Sequence, residues 1–177
     1  MGQHFVRVDS PQELASAAAE LPGDELIAIE YLDARAEDGY ARKYRVMMIG
    51  GKLYPLHLAV SQNWKIHYFS ADMAERADHR LEEEKFLDDM AGVVGEKGMN
   101  ALNLLQAALG LDYGGIDFGL NHEGEILLFE ANATMVVEQP APDSRWDYRR
   151  KAVGCIHAAV RDLLMSHAHR TFATGAV

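Results

Sequence analysis

Two apolar runs interrupted by acceptor side chains constrain this chain more than any other feature. Residues Tyr113–Met135 read Tyr-Gly-Gly-Ile-Asp-Phe-Gly-Leu-Asn-His-Glu-Gly-Glu-Ile-Leu-Leu-Phe-Glu-Ala-Asn-Ala-Thr-Met. The short polar loop Asn121-His122-Glu123-Gly124 separates the runs, which is a hairpin signature. Asp117 stands in the first run, and Glu130 and Asn132 stand in the second, where a buried strand would carry Val or Ile. If Leu120 pairs with Glu125, Asp117 faces Leu128 and Glu130 becomes its diagonal neighbour, about 7–8 Å away. Glu130 and Asn132 are two apart on a strand and so share that face. Two carboxylates and an amide oxygen form an all-oxygen donor set, which suits Mg²⁺ or Mn²⁺. A lone acid on a strand most often faces water. Here Ile126-Leu127-Leu128-Phe129 runs straight into Glu130, and only a partner or a cation would solvate the carboxylate. Two carboxylates aimed at one spot are expected to raise each other's pKa, so Asp117→Asn is expected to leave the protein at least as stable.

The whole chain is long enough for one domain with a real core, at 177 residues and 49% hydrophobic content. A net charge of −10 argues against a nucleic-acid surface. The single cysteine, Cys155, excludes an internal disulfide and points to a reducing compartment, with the cytoplasm as the expected location. No apolar run approaches the roughly 20 residues of a membrane span, and no signal-peptide pattern or internal repeat is present.

Along the chain, His4-Phe5-Val6-Arg7-Val8 reads as a strand. Ser10-Pro11-Gln12-Glu13 reads as a helix start with a capping box, and Pro22-Gly23 as its stop. Leu26–Leu32 reads as a second strand. Ala41–Ile49 and Lys52–Val60 flank Gly50-Gly51, a two-residue hairpin turn. On the first of these strands Lys43, Arg45 and Met47 share one face. Such a cationic face in an acidic chain is a candidate site, although Lys and Arg on a strand more often face solvent. Ser61–Ser70 is irregular and carries Asn63, Trp64, Lys65, His67 and Tyr68. A helix is expected over Met73–Met90, capped by Ser70 or Asp72, with Glu82-Glu83-Glu84 and Asp88-Asp89 on a solvated face. A second helix is expected over Lys97–Leu109, capped by Gly110. After the rigid connector Glu138-Gln139-Pro140-Ala141-Pro142, a last helix spans about 144–166. Tyr148, Ala152, Cys155, Ile156, Ala159, Leu163 and Leu164 fall on one side of it. That spacing makes Cys155 a small core residue. His167 and His169 read as a frayed end, without the further ligands a metal needs.

The pair Asp-Phe-Gly-Leu and Gly-Glu-Ile-Leu-Leu-Phe-Glu-Ala-Asn-Ala-Thr-Met resembles the magnesium-binding end of ATP-grasp proteins, the superfamily of glutathione synthetase and D-alanine–D-alanine ligase. The resemblance covers about residues 4–137 and corresponds to the C-terminal portion of an ATP-grasp unit. It implies Asp117, Glu130 and Asn132 as metal ligands. Glu30, Tyr31 and Leu32 fall at the family's adenine hinge, and Asp33 within reach of a ribose. Phe129 matches a position that packs on the adenine. Lys43 and Arg45 lie on a strand face turned toward the phosphates, and Lys65 falls near the γ-phosphate. Arg45 and Lys65 are the implied catalytic cations.

The expected fold is α+β: an antiparallel sheet of about six strands, with helices mainly on one face, in a single domain over 1–177. The implied function is the ATP- and Mg²⁺-binding portion of a carboxylate–amine or carboxylate–thiol ligase that works through an acyl-phosphate. The family's phosphate loop and strand lysine have no counterpart in the sequence. An N-terminal ATP-grasp half, or a second copy of the chain, is therefore the expected partner. The alternative is a non-catalytic nucleotide-binding or docking module of a larger or split protein. Neither reading involves nucleic acid or membrane.

Overall fold

The structure, a computed structural model, describes residues 4–66 and 71–174, with side chains to residue 168. His67, Tyr68 and Ser70, and the side chain of His169, lie outside the described residues. The chain forms two compact units, Met1–Leu32 and Asp33–Val177.

In the first unit a 3-10 turn over Pro11–Glu13 leads into α1, Leu14–Glu20. Neither His4–Val8 nor Leu26–Leu32 forms a strand, contrary to expectation. Strand propensity measures how well a residue fits a pleated, half-buried surface. Ile27 and Ile29 instead stand 89% and 72% exposed, with no ladder beside them.

The second unit is built on a four-stranded antiparallel sheet in the order β2-β1-β3-β4, fewer strands than the six expected. The strands are β1 (Ala41–Ile49), β2 (Lys52–Ser61), β3 (Tyr113–Leu120) and β4 (Ile126–Asn132). Gly50 and Gly51 turn β1 into β2 with φ of 55° and 78°, the left-handed region that glycine enters freely. Two helices, α2 (Ala77–Asp88) and α3 (Met90–Leu109), cover one face of the sheet. The core there holds Tyr44, Val46, Met48, Leu58, Phe86, Val94, Leu102, Ile116 and Phe118. Gly95, at φ 75°, breaks α3 into two helical pieces, and the second of these matches the helix expected from Lys97. Gly110 caps it in the left-handed conformation.

The last helix, α4 (Arg149–Thr174), covers one end of the opposite face, where Val153 and Ile156 meet Met47, Ile49 and Leu56. Two of the three helices that pack on the sheet therefore share one face. The buried stripe of α4 is rotated from the expected one. It uses Val153, Ile156, Val160 and Leu163, while Cys155 is exposed and Leu164 is 65% exposed. The helix also runs on through His167, where a frayed end was expected.

The acidic run of α2 is not simply solvated. Glu83 is fully buried. Its carboxylate accepts from the Tyr148 hydroxyl at 2.5 Å and lies 3.3 Å from Arg149 Nε. It also takes the Leu58 N–H at 3.4 Å. Leu58 belongs to β2, an edge strand whose outward amides need partners once a helix covers them. One carboxylate thus ties α2, β2 and the start of α4 together. Among the described residues no helix is long and apolar enough to cross a membrane.

Candidate functional site

A polar row crosses the sheet from edge to edge on the face opposite α2 and α3. It runs His57 on β2, Arg45 on β1, Asp117 on β3 and Glu130 on β4, each directly opposite the next. Two bulges align it. The Gly-Gly turn pairs Ile49 with Lys52, and an unbroken register would set Arg45 against Leu56. Instead Val46 pairs with Pro55 and Arg45 with His57, which leaves Leu56 as the extra residue. Proline lacks the ladder donor and belongs at edges and bulges, so Pro55 fits this place.

The second bulge lies in β4. Asn121 accepts the N–H groups of Glu123 and Glu125 on its side-chain oxygen, which closes the loop on Asn121 and Glu125. Leu120 therefore pairs with Ile126, not with Glu125 as expected. An unbroken ladder from there would turn Glu130 to the opposite face. The register slips at Phe129, and Glu130 comes directly opposite Asp117 while Asn132 faces Gly115. The two carboxylates are therefore nearest neighbours, not a diagonal pair.

Asp117 is 2% exposed, and both of its oxygens are engaged. Arg45 donates from Nε to Oδ1 at 2.5 Å and from Nη2 to Oδ2 at 2.7 Å; Lys43 Nζ reaches Oδ2 at 3.0 Å. Burial acts to raise the carboxyl's pKa, but the Arg45 hydrogen bonds and the Lys43 charge outweigh it, and the net shift is downward. The expectation that the two carboxylates would drive each other's pKa upward fails at Asp117, because the hydrogen bonds and charges of Arg45 and Lys43 set the net direction. For Arg45, burial opposes the charged form, but its bonds to Asp117 and the charge of Glu130 raise the pKa above its ordinary value. His57 is 6% exposed and held well below 6.5, first by burial and then by the charge of Arg45.

Glu130 and Asn132 lie at the free edge of the sheet. The Asn132 amide donates to Glu130 Oε1 at 3.1 Å, and its carbonyl accepts the Thr134 N–H at 2.7 Å and hydroxyl at 2.8 Å. Phe129, 40% exposed, turns over Gly119. A side chain at Gly119 would come within 3.0 Å of the Phe129 ring and 2.6 Å of Ala34 Cβ. The chain at Ala34 therefore crosses beside Phe129 and brings Asp33 to the same end of the face. Arg35 holds the Asp33 carboxylate in a bidentate pair. Lys65 is exposed, four residues past the end of β2, at the sheet end where Ala41 pairs with Ser61. Glu30, Tyr31 and Leu32 belong to the first unit, where Arg7 lies 4.7 Å over the Tyr31 ring.

An ionised carboxylate has about four lone-pair sites. Three of those on Asp117 are taken by Lys43 and Arg45, which leaves one on Oδ1. Glu130 Oε2 carries no such load from Asn132. The Asn132 carbonyl is filled by Thr134, whose hydroxyl can turn away and surrender one site. Among the described residues no group of three His, Cys, Asp or Glu side chains is placed to hold a metal. The trio at hand has two such side chains and an amide. Its oxygens suit a hard divalent cation that brings most of its own ligands, in the manner of Mg²⁺ carried by phosphates. Sequence reasoning missed His57, because only the Leu56 bulge turns it toward Arg45; Pro55 was the available signal. No family model matches the chain, and no curated protein matches its sequence.

Proposed function

We propose that this chain is the nucleotide- and metal-binding portion of an ATP-grasp carboxylate–amine or carboxylate–thiol ligase. The observation that carries the reading is the row Arg45–Asp117–Glu130, with Lys43, Asn132 and Phe129 on the same face. A buried acid such as Asp117, bound by two cations and set directly opposite a second acid at the exposed sheet edge, is kept where these groups serve a charged ligand or one another. Asp117, Glu130 and Asn132 would hold Mg²⁺ or Mn²⁺, which when bound supplies charge neutralisation to the β- and γ-phosphates. Lys43 and Arg45 would bind the phosphates, with Arg45 and Lys65 stabilising charge on the transferred group. Phe129 would offer its ring to the adenine and Asp33 its carboxylate to the ribose. No protein nucleophile is needed. Ligation would need a second wall over the phosphates, which an N-terminal ATP-grasp half or a second copy would supply.

The rival reading is a non-catalytic docking module whose ion row only holds the sheet together. It is favoured by one fact: Asp117 is already neutralised by Lys43 and Arg45. Mn²⁺ affinity read by paramagnetic relaxation separates the two. The ligase reading expects Mn²⁺ binding in the presence of ATP and at least a tenfold loss in Glu130→Gln, whose charge is gone while its shape remains. Equal affinity in wild type and variant, with ATP present, overturns it.

A further inference from the structure

We propose that Lys43 and Arg45 act as built-in stand-ins for the metal, holding Asp117 closed until a polyphosphate draws them away, so that metal and nucleotide bind as a coupled pair. The inference rests on the functional reading above and adds an order of events to it. Its basis is the lone-pair accounting at Asp117. A buried acid with three of about four acceptor sites filled by protein cations is a poor ligand for a free divalent ion. A metal arriving alone would also meet the positive charge of Lys43 and Arg45 at close range. A triphosphate reverses both terms. It offers these cations acceptors more highly charged than one carboxylate, and on leaving Asp117 they open the oxygens that the metal needs.

Lys43 is the more readily displaced of the two. It makes a single bond, to Oδ2, on a flexible four-carbon stem, whereas Arg45 holds both oxygens in a planar fork. The position of Arg45 in the cross-strand row, with Asp117 opposite on one side and His57 on the other, makes it the harder of the two to displace. Lys43 stands two residues away on the same strand face and is the mobile member. Coupling of this kind is reciprocal: whatever factor ATP adds to metal affinity, metal adds to ATP affinity.

The test uses the full chain, with Mn²⁺ affinity read by paramagnetic relaxation for wild type, Lys43→Met, Lys43→Gln and Glu130→Gln. Each is titrated alone, with ATP and with inorganic tripolyphosphate. Met keeps most of the stem and removes the charge; Gln covers the case in which Met disturbs packing. The proposal expects weak Mn²⁺ binding to wild type alone and a gain of at least tenfold with either polyphosphate. Both Lys43 variants should bind Mn²⁺ without polyphosphate at least tenfold more tightly than wild type, with a correspondingly smaller gain on adding ATP. Unchanged polyphosphate-free affinity in both variants overturns the stand-in role. If wild type then still binds Mn²⁺ with ATP and Glu130→Gln does not, the functional reading survives that result. Absence of Mn²⁺ binding under every condition overturns the functional reading, and the stand-in role with it.

Discussion

Asp117 shows how one side chain can be legible in kind and not in state. Its place in an apolar run marked it as a buried acceptor, and the sheet gives it Arg45 and Lys43 as partners; Glu130, for which burial against an apolar run was expected, is instead exposed at the sheet edge. The sequence-based expectation for Asp117→Asn therefore reverses. An asparagine would leave two cations facing a neutral amide at a site only 2% exposed. Breaking one side of such a pair costs about 3 kcal/mol, or roughly 6–12 °C in Tm for a chain of this size. A calorimetric scan of the variant checks this, and an unchanged melt would mean that the pair contributes nothing net. His57 yields a pH dependence. It is buried, faces Arg45 across the strand pair, and is further influenced by Asp117, Arg149 and Lys43. The folded ring stays neutral where the unfolded one takes a proton, so the unfolded state binds more protons below pH 6.5. Stability should then fall as pH drops below 6.5, by up to about 1.4 kcal/mol per pH unit from this group. Denaturant titrations at several pH values would show it, and His57→Gln should flatten the slope between pH 6.5 and 5.

The elements were more legible than their register. Both hairpins were readable from turn chemistry, Gly50-Gly51 in one and the Asn121–Gly124 loop in the other, because turn residues act locally. Which residues stand opposite one another was not, because a bulge is a property of two strands together. Leu56 and Phe129 each shift the ladder by one residue, and each shift changes the face on which the later residues of that strand lie. The expected register put Glu130 on the right face by a different pairing. Strands at His4–Val8 and Leu26–Leu32 failed for a related reason: a β-competent run becomes a strand only beside a partner. Glu83 was hidden by its neighbours, since Glu82-Glu83-Glu84 reads as uniformly polar. The helix nonetheless turns its middle member inward against Tyr148, Arg149 and the edge amide of Leu58. Glu83→Gln should keep the shape and lose the charge opposite Arg149, at a cost of about 3 kcal/mol. Urea unfolding would measure it. A variant as stable as wild type would mean that the ion pair contributes nothing beyond its hydrogen bonds.

At the scale of the whole molecule, the sheet and its helices carry their own support. Every buried residue among those described lies at or beyond Ala34, and none in the first unit is buried. The core on either face draws only on residues of the second unit. A chain that starts at Asp33 should therefore fold by itself and melt in one cooperative step, with a Tm within a few degrees of the full chain. The functional reading adds a second expectation for that truncated chain. It keeps Lys43, Arg45, Asp117, Glu130 and Asn132 and loses Glu30, Tyr31 and Leu32, the residues matched to the adenine hinge. Mn²⁺ binding with inorganic tripolyphosphate should survive the truncation. The advantage of ATP over tripolyphosphate should shrink, because an adenine gains affinity only where the chain offers its purine edge a carbonyl and an N–H. Circular dichroism melts test the first expectation and competition between the two polyphosphates tests the second. A truncated chain that folds but keeps the full preference for ATP would remove the hinge from residues 30–32. It would leave Phe129 and Asp33 as the chain's remaining means of recognising the nucleoside.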